Sequence, residues 1–471
     1  MLESITESPA LTLRQVLKRP PVACLPGETV RRAIQTMREL SIGSLVVVDP
    51  DGIPIGILTL RDITDRVVLE PGAVDGPIER VMTADPVTLS VTDTAYHAAL
   101  TMVRHGVRHI VLVEGRRLAG VVSERDLFGL QSATLRQLSI AIRGAQDLPA
   151  IEAFGRDIGV LARKMLEQGL ASGPLSAFIA SLNDLLTQRI VDMEFRSAPA
   201  RYCWLLMGSE GRSEQTLVTD QDNGLIFAPA PGVNVEDTRQ ALLVVARRVN
   251  LALDRAGYSL CRCDIMAGNP QWCLTLDEWR RKFAHWIDSG SPEALLHGSI
   301  FFDLRPLHGE LDLARELRRW LLEHALRNPR FLHQLAENAL RNRPPLGLLR
   351  DFRLDDDGMI DLKLNGTMLF IDAARIFSLA CGIDETNTGR RLAAMGPLLK
   401  IAAHETEAWI AAYQHVQGHR LRCQAAALTR GETADNRIDP RTLHDFDREV
   451  LKRAFRQAVT LQDRLALDYR V

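Results

Sequence analysis

No run of about 18 apolar residues occurs, so the sequence offers no transmembrane helix. The segment Met1–Leu17 is acidic and broken by Pro9, without a cationic stretch leading into an apolar core, which argues against a secretory signal. Cysteine is thin: seven residues in 471, an odd number lacking paired C-x-x-C knuckles. That fits reduced thiols in a cytoplasmic protein, not a disulfide framework or a zinc ribbon. Cys261, Cys263 and Cys273 form the one cluster and read as small buried hydrophobes. Net charge is also missing, because 57 basic residues face 59 acidic ones. A charge of -2 provides no global attraction to nucleic acid or to an anionic membrane.

What is present is ordinary globular composition, 46% hydrophobic and 25% charged, in a chain too long for one core. An internal repeat comes first. Pro21-Val22 followed by Val30–Met37 returns as Pro86-Val87 followed by Ala95–Met102. The apolar strand Leu45–Val48 is answered by His109–Leu112, and Gly56–Ile63 by Gly120–Leu127. Each unit runs extended segment, helix, strand, turn, strand, helix, and two units side by side bury what one leaves exposed. Thr59 and Ser123 sit where a strand feeds a helix, a position that caps the helix and favours a phosphate.

This G-h-h-[ST]-x-x-D block, occurring twice, resembles a tandem CBS pair (βαββα) over residues 12–132. The resemblance implies an adenine nucleotide held by Thr59, Asp62, Ser123 and Asp126, the aspartates reaching ribose hydroxyls. Arg61, Arg108, Arg125 and His109 would add charge toward phosphate. It also implies a homodimer assembled through the repeats.

Residues 133–200 show helical periodicity (Ile151, Phe154, Ile158, Leu161; then Phe178, Leu182, Leu185, Leu186) and read as a connector without chemistry. The informative stretch begins at Trp204. An apolar strand ends in Gly208-Ser209, a polar segment carries Arg212 and Glu214, and a second strand opens with Asp220 and Asp222 ahead of Asn223. Aspartates two apart on a strand share a face, and their mutual repulsion beside apolar residues calls for a cation. Carboxylates alone suit Mg²⁺ or Mn²⁺, completed by substrate phosphates.

The pattern G-S-x-G-R-x-E-x-x-x-x-T-D-x-D-N resembles the polymerase-β-type nucleotidyltransferase superfamily. It is most similar to the branch holding PII-protein uridylyltransferases and CBS-linked nucleotidyltransferases. This implies an α/β core over 201–308 in which Asp220 and Asp222 hold metal, one ion activating a hydroxyl and another stabilising departing pyrophosphate. Gly208, Ser209 and Arg212 would support a nucleoside triphosphate (NTP), with Glu214 and Asn223 orienting loop and aspartates. The superfamily often adds a third carboxylate. Asp303, flanked by Phe302 and Arg305 on an expected strand Ile300–Gly309, has a dry wall and a counter-charge and is preferred. Chain order instead favours Asp264, at the end of an expected strand Ser259–Ile265. Trp272, in a tight loop, reads as structural before base-stacking.

Residues 309–471 are helical in pattern and resemble the substrate-binding domain of the CBS-linked family. Lys363, Arg375, Arg390 and Arg391 are places to look for contacts, and 429–440 reads as a loop. The chain is thus expected to be an α/β multidomain protein with an all-α C-terminal bundle. The expected activity is Mg²⁺-dependent transfer of a nucleoside monophosphate to a hydroxyl acceptor such as a signalling protein, in a uridylyltransferase- or adenylyltransferase-like manner. A catalytically silent nucleotide-responsive scaffold is the alternative, and RNA modification is disfavoured by the neutral charge.

Overall fold

The computed structural model describes residues 12–17, 20–68, 72–123, 126, 130–167, 170–347 and 351–471, which divide into two compact units, 1–141 and 142–471. Arg125 lies outside the described residues.

In the first unit the repeat becomes two matched sheets. Strands β1 (Ala23–Cys24) and β2 (Ser44–Val48) pair in parallel, and β2 pairs antiparallel with β3 (Pro54–Thr59), which carries β4 (Thr83–Ala84). The second repeat copies this with β5 (Thr88–Ser90), β6 (His109–Glu114) and β7 (Arg117–Ser123). Helices Val30–Glu39 and Ala95–His105 start at Thr29 and Thr94, whose hydroxyls accept an N–H from the first turn. Each repeat has its own core, and Val46, Ile57 and Val111 form a third cluster drawn from both.

In the second unit a four-stranded sheet, ordered β10-β9-β8-β11, carries the expected motif. Its members are β8 (Arg201–Leu206), β9 (Asn223–Ala228), β10 (Cys273–Thr275) and β11 (Arg305–Gly309). β8 runs antiparallel to β9 and to β11, whereas β10 is parallel to β9. The helix Val235–Arg255 joins β9 to the loop that returns toward the site. Helices from Leu311 to the C-terminus close the unit, with Ala403–Thr429 and Asp445–Tyr469 the longest. β8 and β9 are apolar on both faces because helices cover them, so they show no polar alternation.

Several expected boundaries move. Residues 259–265 form no strand; Ser259 alone bridges Asp220. Asp303 lies in the turn before β11, not within it. Residues 429–440 include β13 (Arg437–Ile438), paired with β12 (Ile360–Asp361), where Arg437 bonds the Asp355 and Asp357 side chains. The connector is not separate: helices Leu148–Glu167 and Ser172–Glu194 belong to the second unit and pack on its core.

Candidate active site

The loop after β8 turns sharply because glycine makes it possible. Gly208 has a φ of +53°, and a Cβ there would collide with the Asp222 carboxylate. A Cβ on Gly211 would strike the backbone oxygen of Asp303. Only glycine at these places lets the short helix Gly208–Gly211 settle between the second aspartate and the turn before β11. The Met207 amide donates to the Asp222 carbonyl (2.8 Å), and the Glu214 amide donates back to Ser209 (2.9 Å). The loop and the aspartate segment are therefore joined by backbone bonds.

Asp220 and Asp222 precede β9 on an extended lead-in held by a buried amide network. The Gln221 side chain donates to the carbonyls of Asn250 (2.9 Å) and Tyr258 (2.8 Å). The Asn250 amide donates to both Gln221 (2.8 Å) and Asn223 (3.0 Å), and the Asn223 oxygen also takes the Ala267 amide (2.8 Å). Asn223 thus fixes the strand entry from behind. The side chain between the aspartates points into the core, so the flanking pair turns the other way. Burial, then the Asp220 charge, pushes the Asp222 carboxyl up to about 6, while the Cys261 thiol bonds and partly relieves it. Buried Glu210 is pushed well above the usual carboxylate range, by burial first and then by Asp222 and Asp184.

Crowded, under-neutralised carboxylates fit a hard divalent cation. Among the described residues no group of three or more potential protein ligands converges. An ion at Asp220 and Asp222 would take its remaining ligands from triphosphate oxygens and water, the usual habit of Mg²⁺.

Asp303 does something other than expected. Its carboxylate is fully buried and accepts from three guanidinium groups: Arg212 (2.6 Å), Arg375 (2.7 and 3.1 Å) and Arg391 (2.6 Å). Although burial opposes ionisation, these cations hold it far below the usual carboxylate range. Its oxygens are spoken for, so it does not extend the Asp220–Asp222 pair. Asp264 does not either. It is exposed with a φ of +54°, its carboxylate accepting from Asn269 (2.9 Å) and its carbonyl from the Trp272 indole (2.9 Å). Trp272 itself is buried against Trp279 and Phe301.

Arg212 spends one nitrogen on Asp303 and another on Glu214 (2.8 Å), and Glu214 also receives the Thr388 amide (2.5 Å) and hydroxyl (3.0 Å). Glu214 thus caps the first turn of helix Thr388–Leu398, where negative charge is favoured, and ties the loop to the helical domain. Arg375 and Arg391, which looked like free cations, are the buried partners of Asp303, whereas Arg390 pairs with Glu385 at 3.7 Å.

A cleft opens between the loop and the helical domain. Ser209, Arg212 and Asp220 line one side, and Lys363, Tyr413 and Arg420 the other. Sequence reasoning missed Tyr413 and Arg420, which look like ordinary members of a long helix. It also missed Asp184, whose carboxylate grips Arg305 through two 2.9 Å bonds while Arg305 reaches the Glu210 carbonyl (3.0 Å). Of the cysteine cluster, Cys263 is exposed.

In the first unit, Thr59 and Ser123 occupy equivalent places, opposite Ser44 and His109. Their aspartates differ. One Asp62 oxygen accepts from the Thr59 amide (2.9 Å) and hydroxyl (2.6 Å), the other from the Thr83 hydroxyl (2.9 Å). Buried and bonded in this way, Asp62 closes a capping box. Asp126 is half-buried and, among the described residues, accepts only from Ser123. His109 is lowered by burial and by Arg108, against Asp126, and it packs on Gly43 of the other repeat.

Paired strand–helix–strand repeats in one unit, and a glycine–serine loop, an aspartate pair and a helical wall in the other, are the features of a tandem-repeat module and of a nucleotidyltransferase core. Residues 13–69 and 78–132 match the CBS domain, residues 156–293 "Putative nucleotidyltransferase DUF294", and residues 329–469 "Putative nucleotidyltransferase substrate binding domain". The chain belongs to this CBS-linked nucleotidyltransferase family. An uncharacterised 17.7 kDa protein of Acidianus ambivalens is 34% identical over 103 residues, 22% of this chain and 62% of that protein. An uncharacterised protein of Methanopyrus kandleri is 31% identical over 26% of this chain and 63% of its own length. The chain thus spans less than two thirds of these relatives. An A-adding tRNA nucleotidyltransferase of Aquifex aeolicus is 27% identical over 27% of this chain and 15% of that enzyme. Among solved structures, a CBS domain protein from Pyrobaculum aerophilum complexed with AMP is 31% identical, covering 26% of this chain and 95% of that one with a TM-score of 0.24. Among the described residues no helix is long and apolar enough to cross a membrane.

Proposed function

We propose that the chain moves a nucleoside monophosphate from an NTP to a hydroxyl, with a protein side chain as acceptor, using Mg²⁺ at Asp220 and Asp222. The supporting observation is the Asp222 carboxyl, packed against the glycine–serine loop and lifted to about 6 by burial and by Asp220, the neighbour that lines the cleft. Lys363 and Arg212 reach Asp222 but do not offset its burial and the Asp220 charge, and a bound divalent ion would supply the rest. The acceptor oxygen bonds the α-phosphorus, the α–β phosphoanhydride bond breaks, pyrophosphate leaves and the hydroxyl proton passes to solvent. A bound divalent ion supplies charge neutralisation for the phosphates and acidifies the attacking hydroxyl. Asn223, Asn250 and Gln221 keep the carboxylates placed, and Glu214 holds the loop against the helical wall. Seven free thiols support a reducing, cytoplasmic setting.

Purified protein given Mg²⁺ and an NTP labelled in its α-phosphate is expected to label itself or a lysate protein, and Asp220→Ala with Asp222→Ala to abolish labelling. Equal labelling by both proteins sinks the assignment. The scaffold alternative draws on one observation, the withdrawal of Asp303 into the core. It is favoured if NTP and Mg²⁺ bind without turnover on any acceptor. Regulation is assigned to an adenine nucleotide at the CBS pair, acting through different affinities for active and inactive states.

A further inference from the structure

A buried cation without a counter-charge is costly unless a ligand supplies one. Arg420 is a buried cation with no carboxylate among the described residues in direct contact, Asp361 and Glu214 acting on it only from a distance. Only 8% exposed, it donates to the neutral acceptors Asn436 (3.1 Å), Thr367 (3.2 Å) and Gln417 (2.8 Å), and forms no ion pair among the described residues. Burial draws it down to about 10 and Arg212 adds repulsion, while Tyr413, Asp361 and Glu214 act in the other direction without offsetting the burial. Every other guanidinium buried around the loop has a carboxylate: Arg212, Arg375 and Arg391 share Asp303. Lys363 lines the same cleft, exposed, its ammonium making no hydrogen bond or ion pair among the described residues, and its field reaches Asp222. Both cations line the cleft together with Ser209 and Asp220.

We infer that Arg420 and Lys363, contributed by the helical domain, form an anion subsite that holds the β- and γ-phosphates of the NTP and then the pyrophosphate product. The domain whose family description concerns substrate binding thus completes the triphosphate site, in addition to any role with the acceptor. This rests on the nucleotidyl-transfer reading. A guanidinium anchored by three neutral acceptors keeps its orientation while empty, and a flexible lysine closes over the bound phosphates. The pair also explains how a core with two exposed-facing carboxylates admits a highly anionic substrate: positive charge stands across the cleft from the metal position.

The test is calorimetric titration of the full chain with inorganic pyrophosphate, without added metal and then with Mg²⁺. Wild-type protein is expected to bind pyrophosphate, and a non-hydrolysable NTP to compete. Lys363→Ala, at an exposed position that leaves folding intact, is expected to weaken binding by about tenfold or more. Arg420→Gln is expected to weaken it further, and Arg420→Lys to restore part. Asp220→Asn with Asp222→Asn should keep metal-free pyrophosphate binding, so the subsite is judged even if no transfer is ever seen. Unchanged affinity in Lys363→Ala overturns the inference, as does pyrophosphate that binds without competing with the NTP, which would assign the cations to a phosphorylated acceptor. Transfer surviving loss of both aspartates would remove the catalytic reading and leave the subsite result standing.

Discussion

Two buried charge clusters lie within the second unit and have opposite characters. Around Asp303, three guanidinium groups converge on one carboxylate, and Glu214 and Asp372 balance the remaining charge. Around Asp222, carboxylates crowd one another, while buried Arg420 donates to neutral acceptors and makes no direct ion pair among the described residues. The first cluster is complete in itself and holds structure: it locks the loop to helices Met368–Ala380 and Thr388–Leu398. The second is complete only with something added. A saturated buried charge is structural and an unsaturated one is poised for a ligand, which is how the two roles separate where residue types alone do not.

The largest effect expected from breaking this contrast is on stability. Asp303→Asn leaves three buried guanidiniums facing a neutral amide, and a loss of about 3–5 kcal/mol is expected. Asp222→Asn removes a like-charge conflict and should stabilise the metal-free protein. Denaturant unfolding followed by tryptophan fluorescence reads this selectively, since all six tryptophans lie within 142–471. A loss under about 1 kcal/mol for Asp303→Asn would mean that the arginines find other partners and that Asp303 is no hub.

The same pair predicts opposite pH behaviour. Burial and the Asp220 charge lift the folded Asp222 carboxyl from the ordinary aspartate value of about 3.9 up to about 6, so between these values the folded state keeps a proton that the unfolded chain has lost. Stability therefore falls as pH rises through that window, by about 3 kcal/mol in total, and stays lower above it. Glu210, raised partly by Asp222, adds in the same direction. Asp303 is lowered, so its contribution is fully present above the unfolded carboxylate range and fades only in stronger acid. Fluorescence-monitored unfolding from pH 4 to 7 should show the decline in wild type, a shallower one in Asp222→Asn, and a flatter one with Mg²⁺, which favours the ionised pair. Identical slopes in wild type and Asp222→Asn would remove the argument that this site lacks positive charge.

How much of this was legible in the sequence follows from the distances that each signal spans. The CBS repeat and the Gly-Ser/Asp-x-Asp motif are local patterns, and the chain folds them where their spacing places them. Asp303 was misjudged because Arg212, Arg375 and Arg391 lie 91, 72 and 88 residues away. With Arg305 its visible neighbour, it looked half-compensated, yet Arg305 turns to Asp184. Arg420 carried no local signal, being one of two arginines on a long helix. The strand expected at 259–265 failed for a related reason: its Cys-Arg-Cys alternation is served by a loop packed on Asp222 and Asn223.

The finest contrast lies in the first unit, between two aspartates that the repeat makes equivalent. Asp62 has the Thr59 amide and hydroxyl on one oxygen and Thr83 on the other, whereas Asp126 is half-buried and bonded to Ser123 alone among the described residues. If an adenine nucleotide binds here, the second repeat's aspartate is the one able to meet a ribose hydroxyl. Asp126→Ala is expected to weaken AMP binding about tenfold in a calorimetric titration, by loss of hydrogen bonds to a charged acceptor. Asp62→Ala should leave AMP affinity within a factor of about two or three while loosening its own helix start by about 1 kcal/mol, visible as faster amide exchange over 59–68. Equal losses of affinity in the two variants would show that the Thr83 bond breaks on ligand binding and that the halves act alike.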